Sequence, residues 1–165
     1  VGDALDRLTG EQRRLVNEWM PDVEVIADHS WKTTGTTVLE VRCRTGHLVV
    51  KAGDAADGHI ERELRAHRDW LAVWSEYGRG PTLIHGAPSA KLVVTRFVPG
   101  LLVEGSHAQQ DPDTFRQAGE LLAGFHGQCS RFDPDWHDLF RDRVQRGLAG
   151  GAGANSWNEP PFLQD

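Results

Sequence analysis

The sequence predicts an α+β fold: a five-stranded antiparallel sheet with one helix between its third and fourth strands, and further helices after the fifth. Three observations carry this expectation. Before residue 52, β-branched segments with a period near two are joined by short breaks. From His59 to Trp74 the apolar period switches to that of a helix. Two more strands then flank the Gly86–Ala90 turn, and helical patterning resumes at Asp111.

Composition sets the outer bounds. A chain of 165 residues is one domain, or one domain and part of another. Six Trp and six Phe supply a core, and 18 basic against 24 acidic side chains leave a formal net charge of −6. No basic cluster extends beyond Arg13-Arg14, which argues against a nucleic-acid partner. No apolar run approaches the ~20 residues of a membrane span, and the first residues lack a signal-sequence pattern. No membrane partner is expected, and a cytoplasmic location is. Cys43 and Cys129 share no metal-ligand spacing and read as buried free thiols in a reducing compartment.

In chain order, Thr9-Gly10-Glu11-Gln12 has capping-box form, with a hydroxyl for early helix N–H groups and Gln at the third helical position to reach back. The helix it opens carries Leu15, Val16 and Trp19 and stops before Pro21; residues 1–21 form an N-terminal packing helix. Val23, Val25 and Ala27 mark a short first strand. His29 to Gly35 breaks it, and Thr36 to Cys43 is a half-alternating second strand. Arg44 to His47 is a tight turn, and Leu48 to Lys51 is a third strand, completing an antiparallel meander. The Ser30–Thr37 loop has small residues that let backbone N–H groups approach an anion. It holds one glycine, Gly35, and on its own residues it also reads as an ordinary hairpin loop.

Ala52 to Gly58 is a polar connector. Ile60, Leu64, His67, Leu71 and Trp74 then fall on one helical face. At ~100° per residue Glu63 lies at the edge of that stripe and Glu61 points away, so a carboxylate meeting Lys51 should be Glu63. Tyr77 to Pro81 ends the helix. Thr82–His85 and Lys91–Phe97 are the last strands, and Val98-Pro99-Gly100 closes the second. Asp111-Pro112 caps a helix whose buried stripe is Phe115, Ala118, Leu122 and Phe125. Trp136–Arg146 reads as another amphipathic helix. Residues 147–165 are rich in glycine and proline and read as a loop or frayed end.

Taken together, the lysine strand ending at Lys51, the helix glutamate Glu63, Phe97-Val98-Pro99-Gly100, and the helix reading Ala118-Gly119-Glu120-Leu121-Leu122-Ala123-Gly124-Phe125-His126 form a recognisable order. It resembles the N-terminal part of the aminoglycoside phosphotransferase and choline kinase superfamily, which has a protein-kinase-like fold. The resemblance covers about residues 22 to 146. It implies a nucleotide-binding N-lobe over 22–97, a hinge over 98–110 and the first C-lobe helices over 111–146. It further implies that Lys51, oriented by Glu63, binds the α- and β-phosphates of ATP or GTP. The loop containing Ser30, Thr34 and Gly35 would cover the phosphates, and the carbonyl of Arg96 with the N–H of Val98 would hold the base.

The sequence also departs from that family. Its members carry a His-Gly-Asp…Asn catalytic loop and a later metal-binding Asp. Here His85-Gly86 and His126-Gly127 are not followed by Asp, and His137-Asp138 is followed by Arg143 where an Asn is needed. The chain as given is therefore expected to hold no catalytic residue and no Mg²⁺ ligand, and not to transfer phosphate. It reads as the N-terminal piece of a small-molecule phosphotransferase, whose acceptor would bind only with the missing lobe. The competing readings are a non-catalytic nucleotide- or partner-binding module, and a domain without ligand in which Lys51–Glu63 is a structural ion pair. Apolar side chains on the unpartnered C-lobe helices are expected to favour self-association.

Overall fold

The computed structural model describes residues 4–31, 35–130 and 134–149, the last three of these by backbone alone. The chain divides into two units, residues 1–128 and 129–165.

The first unit is α+β. A 3-10 turn, Ala4–Arg7, and helix α1, Gly10–Trp19, precede strands β1, Glu24–Asp28; β2, Thr36–Cys43; and β3, Gly46–Gly53. Helices α2, His59–Asp69, and α3, Ala72–Ser75, lead to β4, Leu83–Ala87, and β5, Leu92–Arg96. Helix α4, Pro112–His126, ends the unit. All strand pairs are antiparallel, in the order β1-β2-β3-β5-β4, so the last strand made lies inside the sheet.

Strand alternation assigns the two faces. Leu39 and Val41 of β2, Leu48, Val50 and Ala52 of β3, and Leu92 and Val94 of β5 bury one face against Leu8, Val16 and Met20. Helix α1 is held there by its capping box: the Thr9 hydroxyl accepts the Gln12 N–H, and Gln12 Oε1 accepts the Thr9 N–H. Gln12 Nε2 also donates to the Gly53 and Ala90 carbonyls at 2.9 and 2.8 Å, stitching the helix to the end of β3 and to the β4–β5 turn. The opposite face receives α2 through Ile60 and Leu64, which pack on Val93 and Leu83.

Two local features shape these strands. A register shift between Leu83 and His85 lets Leu83 and Gly86 both oppose residues of the α2 face, while Ile84 and Ala87 join the other core. In the β2–β3 hairpin, Cys43 pairs with Gly46 across Arg44-Thr45. Gly46 has φ +125°, which a side chain would disfavour.

Several expectations need correction. Pairing extends the third strand beyond Leu48–Lys51 at both ends, to Gly46 and Gly53, because β2 matches it along its whole length. The single helix between the third and fourth strands is two. Its hydrogen-bond ladder closes at Ala66, whose carbonyl accepts both the Trp70 and Leu71 N–H groups, and Trp70 leaves helical geometry at φ −133°. The short α3 then packs on α4: the Trp74 indole donates to the Leu121 carbonyl at 2.8 Å, and its ring lies 5.0 Å from Phe125. The expected buried stripe of α4 is not buried. Only Phe125 of the four is half-buried, and Phe115 is 64% exposed, because α3 covers no more than the Leu121–Phe125 side of the helix. The thiols are not buried either: Cys43 is half-buried and Cys129 exposed.

In the second unit, α5 spans Trp136–Ala149, so the helix continues past the expected end at Arg146 into the glycine-containing stretch. Trp136 stacks on Phe140 one turn later, with ring centres 5.0 Å apart. The rest of the expected loop, residues 150–165, lies outside the described residues. Among the described residues no helix is long and apolar enough to cross a membrane.

Candidate functional site

The α2 face of the sheet is only partly covered. Register places Val38, Lys51 and Val93 in one row across β2, β3 and β5, and Glu40, Val49 and Thr95 in the next. Helix α2 covers the β5 and β4 end. Val38, Glu40, Val49 and Lys51 are left half-buried, on a surface with both apolar and charged parts.

Lys51 Nζ donates to Glu63 Oε1 at 2.7 Å, and both side chains keep partial access to solvent. Glu61 is exposed, as the helical wheel requires. His67, one turn beyond Glu63, is almost fully enclosed, with Nε2 3.7 Å from the same Glu63 oxygen. Burial is the main influence on His67 and pushes its pKa down; Glu63 opposes this and Lys51 reinforces it. The imidazole is thus favoured neutral beside a formally balanced ion pair.

Position along α2 is set by Asp57. Its Oδ1 accepts the His59 and Ile60 N–H groups at 2.6 and 3.2 Å, and its Oδ2 accepts the Thr36 hydroxyl. Burial pushes the Asp57 pKa up. The hydrogen bonds from Thr36, Ile60 and His59 outweigh that and hold the carboxyl below its usual range. Gly53 beside it has no room for a side chain, since a Cβ there would lie 2.7 Å from Asp57 Cβ and Cγ.

The Ser30 N–H donates to Asp28 Oδ1 at 2.9 Å, and its hydroxyl accepts the Val38 N–H at 2.9 Å. Ser30 is therefore engaged in closing the loop on its own strands. Thr34 lies outside the described residues. The Gly35 carbonyl accepts the Asp54 N–H at 3.2 Å, and the Asp54 carboxylate lies against the Gly35 Cα, where a Cβ would displace it.

At the other end of the site, Phe97 N–H donates to the His47 carbonyl at 2.9 Å and the two rings stack 4.0 Å apart. Arg96 is exposed on its strand, with its N–H given to the Thr82 carbonyl. Val98 is exposed, and its N–H donates to no backbone carbonyl among the described residues. Arg96 pairs with Leu48, three positions along β5 from the Val93 that pairs with Lys51, and Val98 lies beyond the end of β5, so neither adjoins Lys51 in the sheet register.

Sequence inspection missed three contributors. Glu40 Oε2 and Oε1 accept hydrogen bonds from His29 and His47, each at 2.7 Å. The His29 bond, then the His47 bond, hold the Glu40 pKa below its usual range. The period of two in β2 puts Glu40 on the face of Val38, a signal that was available. His67 was assigned only to a packing stripe, and Asp57 only to a polar connector; their partners lie on other elements.

No protein-family model, curated protein or solved structure matches this chain. Among the described residues no group of three His, Cys, Asp or Glu side chains is arranged to hold a metal ion.

Proposed function

We propose that this chain is the N-terminal, nucleotide-binding portion of an ATP- or GTP-dependent small-molecule phosphotransferase with a kinase-like N-lobe. The observation that carries the reading is the Lys51–Glu63 pair, 2.7 Å apart, on a sheet face left half-open beside Val38 and Val49. A cation held at a fixed point by a carboxylate is what a polyphosphate needs, and adjacent apolar strand residues suit the face of a purine. On this reading Lys51 holds phosphate oxygens, Val38 and Val49 pack on the base, and the Val98 N–H bonds its edge. The bound nucleotide would supply the phosphoryl group. This chain's own part is to bind and orient it, since the sequence holds no His-Gly-Asp…Asn loop to act on an acceptor.

Titration calorimetry with MgATP and MgGTP tests this. Millimolar or tighter binding is expected, with a matching rise in Tm through linkage, and both should be lost in Lys51→Ala. Absence of heat and of any Tm shift at several millimolar nucleotide overturns the proposal. It would favour the second reading, a structural ion pair; the enclosed His67 beside Glu63 is the observation that favours that one.

A further inference from the structure

We infer that Asp57 is a positioning residue for the nucleotide: one carboxylate ties the strand that leaves the Ser30–Gly35 loop to the first turn of the helix that presents Glu63 to Lys51. The inference rests on the nucleotide-binding reading and adds to it a residue outside the binding groups themselves.

The three bonds of Asp57 divide between its two oxygens. A helix cap needs one acceptor oxygen for the first free N–H groups, and Asp57 Oδ1 serves that purpose for His59 and Ile60. Its second oxygen is used elsewhere, on the Thr36 hydroxyl 21 residues earlier in the chain. Capping alone does not account for this second bond, and burying the carboxylate to make it carries a desolvation cost.

What the bond joins is specific. Thr36 is the first residue of β2 and pairs with Gly53, whose lack of a side chain admits Asp57. Two residues on, Val38 pairs with Lys51. On the other side, Ile60 receives the cap and Glu63 follows about one turn later, at the point where the helix meets Lys51. A parallel tether, from the Asp54 N–H to the Gly35 carbonyl, ends on the same strand entry. Loop exit, lysine strand and glutamate helix therefore share one fixed corner. Releasing it lets α2 shift against β3, and an ion pair of this geometry tolerates little such shift before the lysine reorients.

The test separates the tether from the cap. Thr36→Val removes the hydroxyl and keeps the shape. Asp57→Ser keeps a helix cap but is too short to reach Thr36. Asp57→Asn keeps an oxygen for the N–H groups and an amide to donate to the Thr36 hydroxyl, and serves as the rescue. MgATP and MgGTP affinities are measured by calorimetry at a temperature where circular dichroism shows every variant fully folded. Thr36→Val and Asp57→Ser should each weaken binding about five- to fiftyfold, the span usual for groups sharing one hydrogen-bond network. The double variant should lose no more than the worse single one, and Asp57→Asn should stay within about threefold of wild type. Wild-type affinity in Thr36→Val overturns the positioning role while leaving the Lys51 site standing. Equal losses in Asp57→Ser and Asp57→Asn overturn it in favour of a requirement for the negative charge itself. If wild type binds no nucleotide, the underlying reading fails and this inference with it.

Discussion

Gly86→Ala is the sharpest available probe of how α2 is seated. Gly86 lies in β4 opposite Val93, under Leu64 of α2. A Cβ added there would fall 2.3 Å from Leu64 Cδ2. Ordinary carbon contact is about 3.5–4.0 Å, so that methyl must retreat by more than about 1 Å. Leu64 is itself fully buried against the Ile60–Val93 cluster, so the movement goes into an off-rotamer side chain or into displacement of the helix. An off-rotamer side chain costs about 0.5–1.5 kcal/mol, and overpacking of a dense core about 1–3. We expect a loss of about 1–3 kcal/mol in urea denaturation, or a Tm lower by roughly 3–10 °C for a chain of this size. Because Glu63 adjoins Leu64, the same variant should weaken nucleotide binding. Leu64→Val in the Gly86→Ala background should recover part of the loss, giving a negative departure from additivity. An unchanged Tm in Gly86→Ala, or strictly additive losses in the pair, would refute the close seating of α2 on β4.

Further outcomes follow from other contacts. Gln12→Ala leaves the buried Gly53 and Ala90 carbonyls without their donor and should cost about 2–4 kcal/mol by urea denaturation. Burial lowers the pKa of both His67 and His85 from the ordinary value of 6.5, so the folded chain resists protonation that the unfolded chain accepts. Their contribution is complete above pH 6.5 and is lost as pH falls from there toward their lowered values. Tm should therefore drop between pH 7.5 and 5.5, and the double variant His67→Gln/His85→Gln should show a flatter profile; an equal drop would assign it to other groups. Leu101 is 95% exposed, and Leu102, Phe115 and Leu122 are exposed with it. Sedimentation should show concentration-dependent association of the chain, reduced in Leu101→Ser/Phe115→Ser, and a clean monomer at high concentration would count against this.

Local signals carried most of what the sequence disclosed. Thr9 and Gln12 are three residues apart, and the capping box they suggest is made. Strand β2 has the bounds its β-branched residues imply, and the helical wheel separates Glu63 from Glu61 correctly. What escaped depends on partners distant in the chain. Asp57 meets Thr36 across 21 residues, and Gln12 reaches Ala90 across 78. Past the break after Asp69, Trp74 reaches the Leu121 carbonyl on α4, a contact that no local propensity records. The α4 stripe was misjudged for the opposite reason. Its periodicity describes a face suited to burial, while actual burial depends on what else is present to cover it.

The place of β5 between β3 and β4 has a consequence for how the chain emerges from the ribosome. The β1–β2–β3 meander can close as soon as it is made, since each strand pairs with its predecessor. The outer edge of β3 must then wait for Leu92–Arg96, about forty residues later, or about 2–8 s at ordinary rates of synthesis. During that interval Leu48-Val49-Val50 offers unpaired backbone groups on an apolar strand, a ready template for a second nascent chain. The slower the synthesis between Gly53 and Leu92, the longer this exposed edge persists, a hazard that folded-state stability does not record.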